Sequence, residues 1–169
     1  MSSLSELNFA DRASFTAALG HLFEHSPWVA EETWPQRPFP SREALHAALC
    51  ATMRDASRER QLALIRAHPD LAGRLARQKQ LTAESTREQA SAGLDQLTDA
   101  ELAAFTRRND SYKAKFGFPF IICARLNAKA SILLAMQTRV DHTPETEFAT
   151  ALSEIEKIAW LRLQDAVKP

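Results

Sequence analysis

The stretch TPETEFATALSEIEKIAWLRL, residues 143–163, is written as a long helix. Thr143 stands as a cap and Pro144 as the first helical residue, where a missing N–H costs nothing, and Phe148, Leu152, Ile155 and Leu163 follow at helical spacing. Upstream the same grammar recurs. Asn127 is expected to cap a helix through Ile132, Leu133, Met136 and Val140. Thr98-Asp99-Ala100-Glu101 has the form of a capping box, opening a helix that runs through Leu102 and Phe105 toward Tyr112 and stops at Gly117 and Pro119. Thr82 or Ser85 begins the helix before it. Ser57 opens one through Leu62, Leu64 and Ile65 that must yield near Pro69, because proline disfavours helical backbone in the residue ahead of it. Ser41 opens another, with Leu45, Leu49 and Met53 on one face. Nearest the N-terminus, Phe15, Leu19, Leu22 and Phe23 repeat helically as far as Pro27. There Ser26 and Pro27 read as the cap and first residue of a short helix carrying Trp28 and Trp34, with residues 34–40 as a tight connector. Only Phe120-Ile121-Ile122-Cys123 has the composition of a strand, and with no partner strand it is expected to be buried extended chain.

At 169 residues the chain is long enough to bury a core without disulfides or metal. Apolar residues make up 45% and charged ones 25%, and four glycines are too few for a turn-rich β architecture. The expected fold is all-α: one multi-helix domain over residues 1–169, with about eight helices. Lys+Arg and Asp+Glu both total 21, so no net positive field gathers nucleic acid or an anionic membrane. Cys50 and Cys123 stand alone, without the close pairing of a zinc or redox site, which fits a reducing, cytoplasmic home. Residues 1–15 hold Glu6, Asp11 and Arg12 and no apolar run, so no signal peptide or anchor is expected there, and no later stretch reaches membrane-spanning length. The final Val167-Lys168-Pro169 is not a peroxisomal address.

Chemistry concentrates in three segments. His68-Pro69-Asp70-Leu71-Ala72-Gly73 sets an imidazole at a helix boundary. It is either a structural histidine bonded to a nearby carbonyl or a general acid or base, since histidine alone exchanges protons near neutral pH without a large perturbation. Ser85, Glu88 and Gln89 stand at i, i+3 and i+4 and share a helix face, although Ser85-x-x-Glu88 is also the spacing of a capping box, and the pattern by itself favours the cap. Phe116-Gly117-Phe118-Pro119-Phe120-Ile121 is a bent aromatic wall that either fills the core or offers backbone N–H and C=O groups to a ligand. Arg162, between Leu161 and Leu163, needs an anionic partner if buried, whether a carboxylate of the protein or a substrate. Two rival functions fit parts of the pattern: a partner-binding groove along the proline and phenylalanine segments, and a metal hydrolase built on His21, Glu24 and His25.

Together the three segments resemble the 2-oxo-4-hydroxy-4-carboxy-5-ureidoimidazoline (OHCU) decarboxylases of urate degradation, over nearly the whole chain from residue 15 to 163. His-Pro-Asp-Leu-Ala-Gly at 68–73 and Phe-Gly-Phe-Pro-Phe at 116–120 are similar to the family's two signatures, and Glu-Ser-Thr-Arg-Glu-Gln at 84–89 is in its style. The resemblance implies an all-helical enzyme, usually a homodimer, that uses neither metal nor organic cofactor and converts its small-molecule substrate to (S)-allantoin and CO2. By position it makes His68 the essential histidine and Glu88 the active-site glutamate. Pro69, Ser85 and Gln89 become substrate contacts, joined by the backbone at Phe120 and Ile121. Arg162 matches the substrate-binding arginine, with Arg139 in reserve.

Overall fold

The computed structural model describes residues 1–73 and 80–168, and among these it contains nine α-helices and no β-strand. They are α1 (Leu4–Phe9), α2 (Arg12–Leu19), α3 (Trp28–Thr33), α4 (Arg42–Asp55), α5 (Arg58–Ala67), α6 (Ala83–Ser91), α7 (Asp99–Phe116), α8 (Lys129–Arg139) and α9 (Pro144–Ala166). No described helix is long and apolar enough to cross a membrane. The chain divides into two compact units, Met1–Ala67 with Ile155–Pro169, and His68–Glu154.

In the first unit the expected start signals hold at α4 and α5. Ser41 Oγ accepts the Ala44 N–H, and Ser57 Oγ accepts that of Arg60. From α4, Leu45, Leu49 and Met53 are fully buried, as are Leu64 and Ile65 of α5. Each such side chain contributes about 1.5–3 kcal/mol on burial. The chain ends are tied together: Ser2 N–H donates to the Ala166 carbonyl at 3.0 Å, and Lys168 N–H to that of Ser2 at 2.9 Å.

Two details differ from expectation here. Helix α2 stops at Leu19, and Leu22 and Phe23 enter the core from turns. At the helix end stands Gly20, where a Cβ would lie 2.7 Å from the Thr16 carbonyl oxygen and 3.1 Å from Pro27 Cβ, so the close approach of Pro27 leaves no room for a side chain. Ser26 does not cap α3 with its side chain; Pro27 holds the N-cap position and the Ser26 carbonyl accepts the Val29 N–H.

In the second unit α7 begins with the expected capping box of Thr98 and Glu101 and ends at Gly117, whose φ of 75° lies in the left-handed region that glycine enters freely. Residues 120–123 are buried, non-helical chain as expected, leading into a single turn at Ala124–Leu126. Asn127 does not cap α8. Its amide turns back to the Cys123 carbonyl at 3.0 Å, while the first free N–H, that of Ala128, donates to Ser131 Oγ. Thr143 opens α9 as expected, its Oγ1 accepting the Thr146 N–H.

Candidate active site

Helix α5 ends at Ala67, so His68 occupies the first position freed from helical geometry by Pro69. His68 is only 8% exposed. The loop after it is held from two sides. Gln89 Oε1 accepts the Ala72 N–H at 2.9 Å while its Nε2 donates to the Asp70 carbonyl at 3.3 Å. From α7, Asn109 Nδ2 donates to the Leu71 carbonyl at 2.9 Å and Lys113 Nζ meets Asp70 Oδ2 at 2.6 Å. These bonds hold a tight turn in place. Ala72 sits at φ 52°, a left-handed conformation that costs a non-glycine residue of the order of 1 kcal/mol or more, and a Cβ on Gly73 would lie 2.6 Å from Asp70 Cβ.

Helix α6 starts ahead of the pair that the sequence reads as a capping box. Thr82 is the cap, its Oγ1 accepting the Ser85 N–H at 3.2 Å, which leaves Ser85 one turn inside the helix and Glu88 outside any capping box. The capping-box expectation for Ser85 and Glu88 is therefore overturned: Thr82 stands three residues ahead of Ser85 and starts the helix there, so the Glu88 N–H falls inside the helix and needs no cap. Ser85 and Gln89 are buried and Glu88 is half-buried, whereas Thr86 and Arg87 face solvent. One polar face thus turns inward, as the i, i+3, i+4 spacing requires. That helix packs against the Ala124–Leu126 turn, and the Lys129 N–H donates to the Ala92 carbonyl at 3.2 Å just beyond its end. Glu88 lies close enough to Cys123 to act on it: burial first, then Glu154 and Glu88, push the Cys123 thiol up.

The aromatic wall packs on α7. Phe116, Phe118 and Phe120 ring Tyr112 at centroid distances of 4.5, 6.0 and 5.2 Å, and Phe118 meets Phe148 edge-on. Phe120 and Ile121 are buried, yet no described residue hydrogen-bonds the Phe120 carbonyl or the Ile121 N–H. The rings fill the core, as one of the two alternatives has it, and the Phe120–Ile121 peptide has polar atoms that no described residue hydrogen-bonds.

Helix α7 brings the two halves of this constellation together. Asn109 and Lys113 grip the loop that follows His68, and Tyr112, on the same buried face, supports Phe120. These α7 residues were missed by motif reasoning. The available signal is Asn109 at i+4 from Phe105 and i−3 from Tyr112, a polar residue on an apolar stripe. Its Oδ1 is buried without a hydrogen-bond partner among the described residues.

Neither arginine candidate is a lone charge. Arg139 donates through Nε and Nη2 to Glu147 and through Nη1 to the Ile121 carbonyl at 2.8 Å. Arg162 lies in the first unit, where its Nη2 pairs with Glu24 Oε2 at 3.0 Å and its Nη1 donates to the His21 carbonyl at 3.2 Å. Within the protein, Glu24 supplies the carboxylate that its burial demands. With Glu24 paired in this way and His21 and His25 exposed, the metal-hydrolase arrangement does not assemble; among the described residues no three His, Cys, Asp or Glu side chains are placed to hold a metal ion.

A buried imidazole, a half-buried carboxylate, a buried hydroxyl, a buried amide and a peptide that no described residue hydrogen-bonds are the groups that proton transfer on a small polar molecule calls for. Comparison with known proteins points the same way. The family model described as OHCU decarboxylase matches residues 8–164. An OHCU decarboxylase of Halalkalicoccus jeotgali is 46% identical over 167 residues, covering 99% of this chain and 93% of the relative. Among solved structures, an OHCU decarboxylase crystallised in the presence of (S)-allantoin superposes with a TM-score of 0.68 at 25% identity, covering 92% of this chain and 97% of that one. An (S)-allantoin synthase superposes with a TM-score of 0.78 at 33% identity over 99% of this chain, which spans about half (54%) of that longer chain.

Proposed function

The chain belongs to the OHCU decarboxylase family, and from that premise we propose that it decarboxylates OHCU to (S)-allantoin and CO2, the last step from urate to allantoin, with the constellation around His68 as its active site. The observation that carries the placement is the convergence of the His68 loop, the inward face of α6 and the aromatic wall on α7. The whole matched region acts as one catalytic domain, a reading supported by the unbroken family match across both units.

The chemistry sets three demands. Breaking the bond to the carboxylate leaves an electron pair that the substrate's own ring delocalises, so neither metal nor organic cofactor is needed as an electron sink. The protein must orient the carboxylate, stabilise the developing enolate-like charge, and deliver a proton to carbon from one face. His68, with Glu88, handles the protons. Pro69 walls the imidazole, and Ser85 with the Phe120–Ile121 peptide holds the ring and ureido amides. Gln89 contributes less than its type suggests, since clamping the loop leaves it one amide N–H and one oxygen lone pair for a ligand. Arg162 is the proposed partner of the substrate's anionic edge, supported by its position relative to the family. Glu24 would then hold its guanidinium ready, a fork suited to planar acceptors.

Family resemblance also supports a homodimer. The free thiols of Cys50 and Cys123 support a reducing cytoplasm, with burial pushing Cys50 up to about 12 and so keeping it unreactive. The deciding experiment makes the unstable substrate in situ from urate with the two preceding enzymes and follows circular dichroism. Accelerated formation of optically active allantoin is expected. A spontaneous rate and racemic product in its presence defeat the assignment.

A further inference from the structure

Behind the aromatic wall lies a buried ionic cluster that the proposed mechanism leaves unused. The Glu147 carboxylate, 0% exposed, receives the Nε and Nη2 edge of Arg139 and the phenol of Tyr112, and His142 Nδ1 lies 2.8 Å from its other oxygen. Burial opposes its charge, but Arg139, Tyr112 and His142 together outweigh that and hold the carboxyl below its usual range. A buried ion pair of this kind gains little stability over an apolar core, so stability alone does not account for it.

The free edge of the guanidinium supplies one. Arg139 Nη1 donates to the Ile121 carbonyl at 2.8 Å, and its guanidinium carbon sits 4.2 Å over the Phe120 ring. A single planar group therefore grips both residues flanking the Phe120–Ile121 peptide, whose C=O and N–H no described residue uses. Two positions on, Glu154 Oε2 accepts the Cys123 N–H at 2.8 Å and holds the same segment from the other end. Residues 120–123 have no helix or sheet to set their peptide planes, so these side chains do it.

We infer that Arg139 is a positioning residue for the decarboxylation: locked by Glu147 and Tyr112, it sets the tilt of the Phe120–Ile121 peptide against which the substrate ring lies. This rests on the active-site placement proposed above. Only a forked, planar cation reaches the carboxylate, the carbonyl and the ring together, whereas a lysine ammonium reaches one of them at a time.

The test compares wild type, Arg139→Lys, Tyr112→Phe and the core variant Met136→Ala, which lies on the same helix and is buried without touching the cluster's hydrogen bonds. Substrate is generated in situ, with enzyme added until its flux exceeds the spontaneous rate about tenfold, so that optical purity reports the enzyme. For Arg139→Lys a fall of about 100-fold in kcat is expected, the scale of a misplacement near 1 Å, with a smaller change in KM and lowered optical purity of the allantoin. Tyr112→Phe keeps the ring and removes one bond to Glu147, so it shows the same changes in milder form and carries the test should Arg139→Lys fail to fold. Met136→Ala lowers Tm but keeps kcat and optical purity. Unchanged kcat and optical purity in the arginine or tyrosine variants, or equal losses in Met136→Ala at equal Tm, overturn the positioning role. A wild type that leaves the spontaneous rate unchanged overturns the activity and this role together, which separates the two failures.

Discussion

His68 and Glu88 carry the sharpest consequences at the scale of single residues. His68→Ala is expected to fold, since its neighbours Asp70, Leu71 and Ala72 keep their bonds to Gln89, Asn109 and Lys113, but to leave decarboxylation at the spontaneous rate. Retained acceleration in that variant removes the imidazole from the mechanism. Glu88→Gln is expected to keep Tm within a few degrees and lose turnover, because Thr82 rather than Glu88 satisfies the helix start. A large drop in Tm with normal kcat would return Glu88 to a structural role. His68, Ser85, Glu88 and Gln89 were legible in the sequence as residue types at a spacing. The pinning of Gln89 to Asp70 and Ala72 was not, because its partners lie 17–19 residues away and meet it only through a turn.

Among the elements, α6 shows how a short-range pattern misleads. Thr82 and Ser85 both make acceptable starts, and the Ser-x-x-Glu spacing favours the second; the structure chooses Thr82, which frees Ser85 to face inward. Thr82→Ala is accordingly expected to cost about 1 kcal/mol in thermal or urea unfolding while leaving kcat in place. Ser85→Ala should reverse that pattern, raising KM with little loss of stability. If Ser85→Ala proves the more destabilising of the two, the assignment of the cap is wrong. Similar competition explains the start of α8. Asn127 sits where a bond to the Cys123 carbonyl outweighs its propensity to cap, and Gly20 where the approach of Pro27 admits no side chain.

At the scale of the whole molecule, the ionic cluster around Glu147 links acid stability to the aromatic wall. Its carboxyl titrates lower in the folded chain than the ordinary value of 4.5, so its stabilisation is complete above that pH and drains away as pH falls through the folded value. Near neutral pH Glu147→Gln is expected to lose about 3–5 kcal/mol in urea unfolding, the penalty of leaving Arg139 buried and unpaired. Below about pH 4.5 the gap to wild type should narrow. A gap that stays constant down to the acid transition would show that Glu147 is not the group responsible. Helical periodicity, caps and prolines are local, and so an all-α chain with its helix starts at Ser41, Ser57, Thr98 and Thr143 was determined by sequence alone, as was the choice of the three segments proposed to carry the chemistry. Only the tertiary structure decided which polar side chains turn inward, that Arg162 pairs with Glu24, and that Arg139 holds Ile121. Those outcomes depend on which groups burial strands without water, and burial is a property of packing between segments distant in the chain.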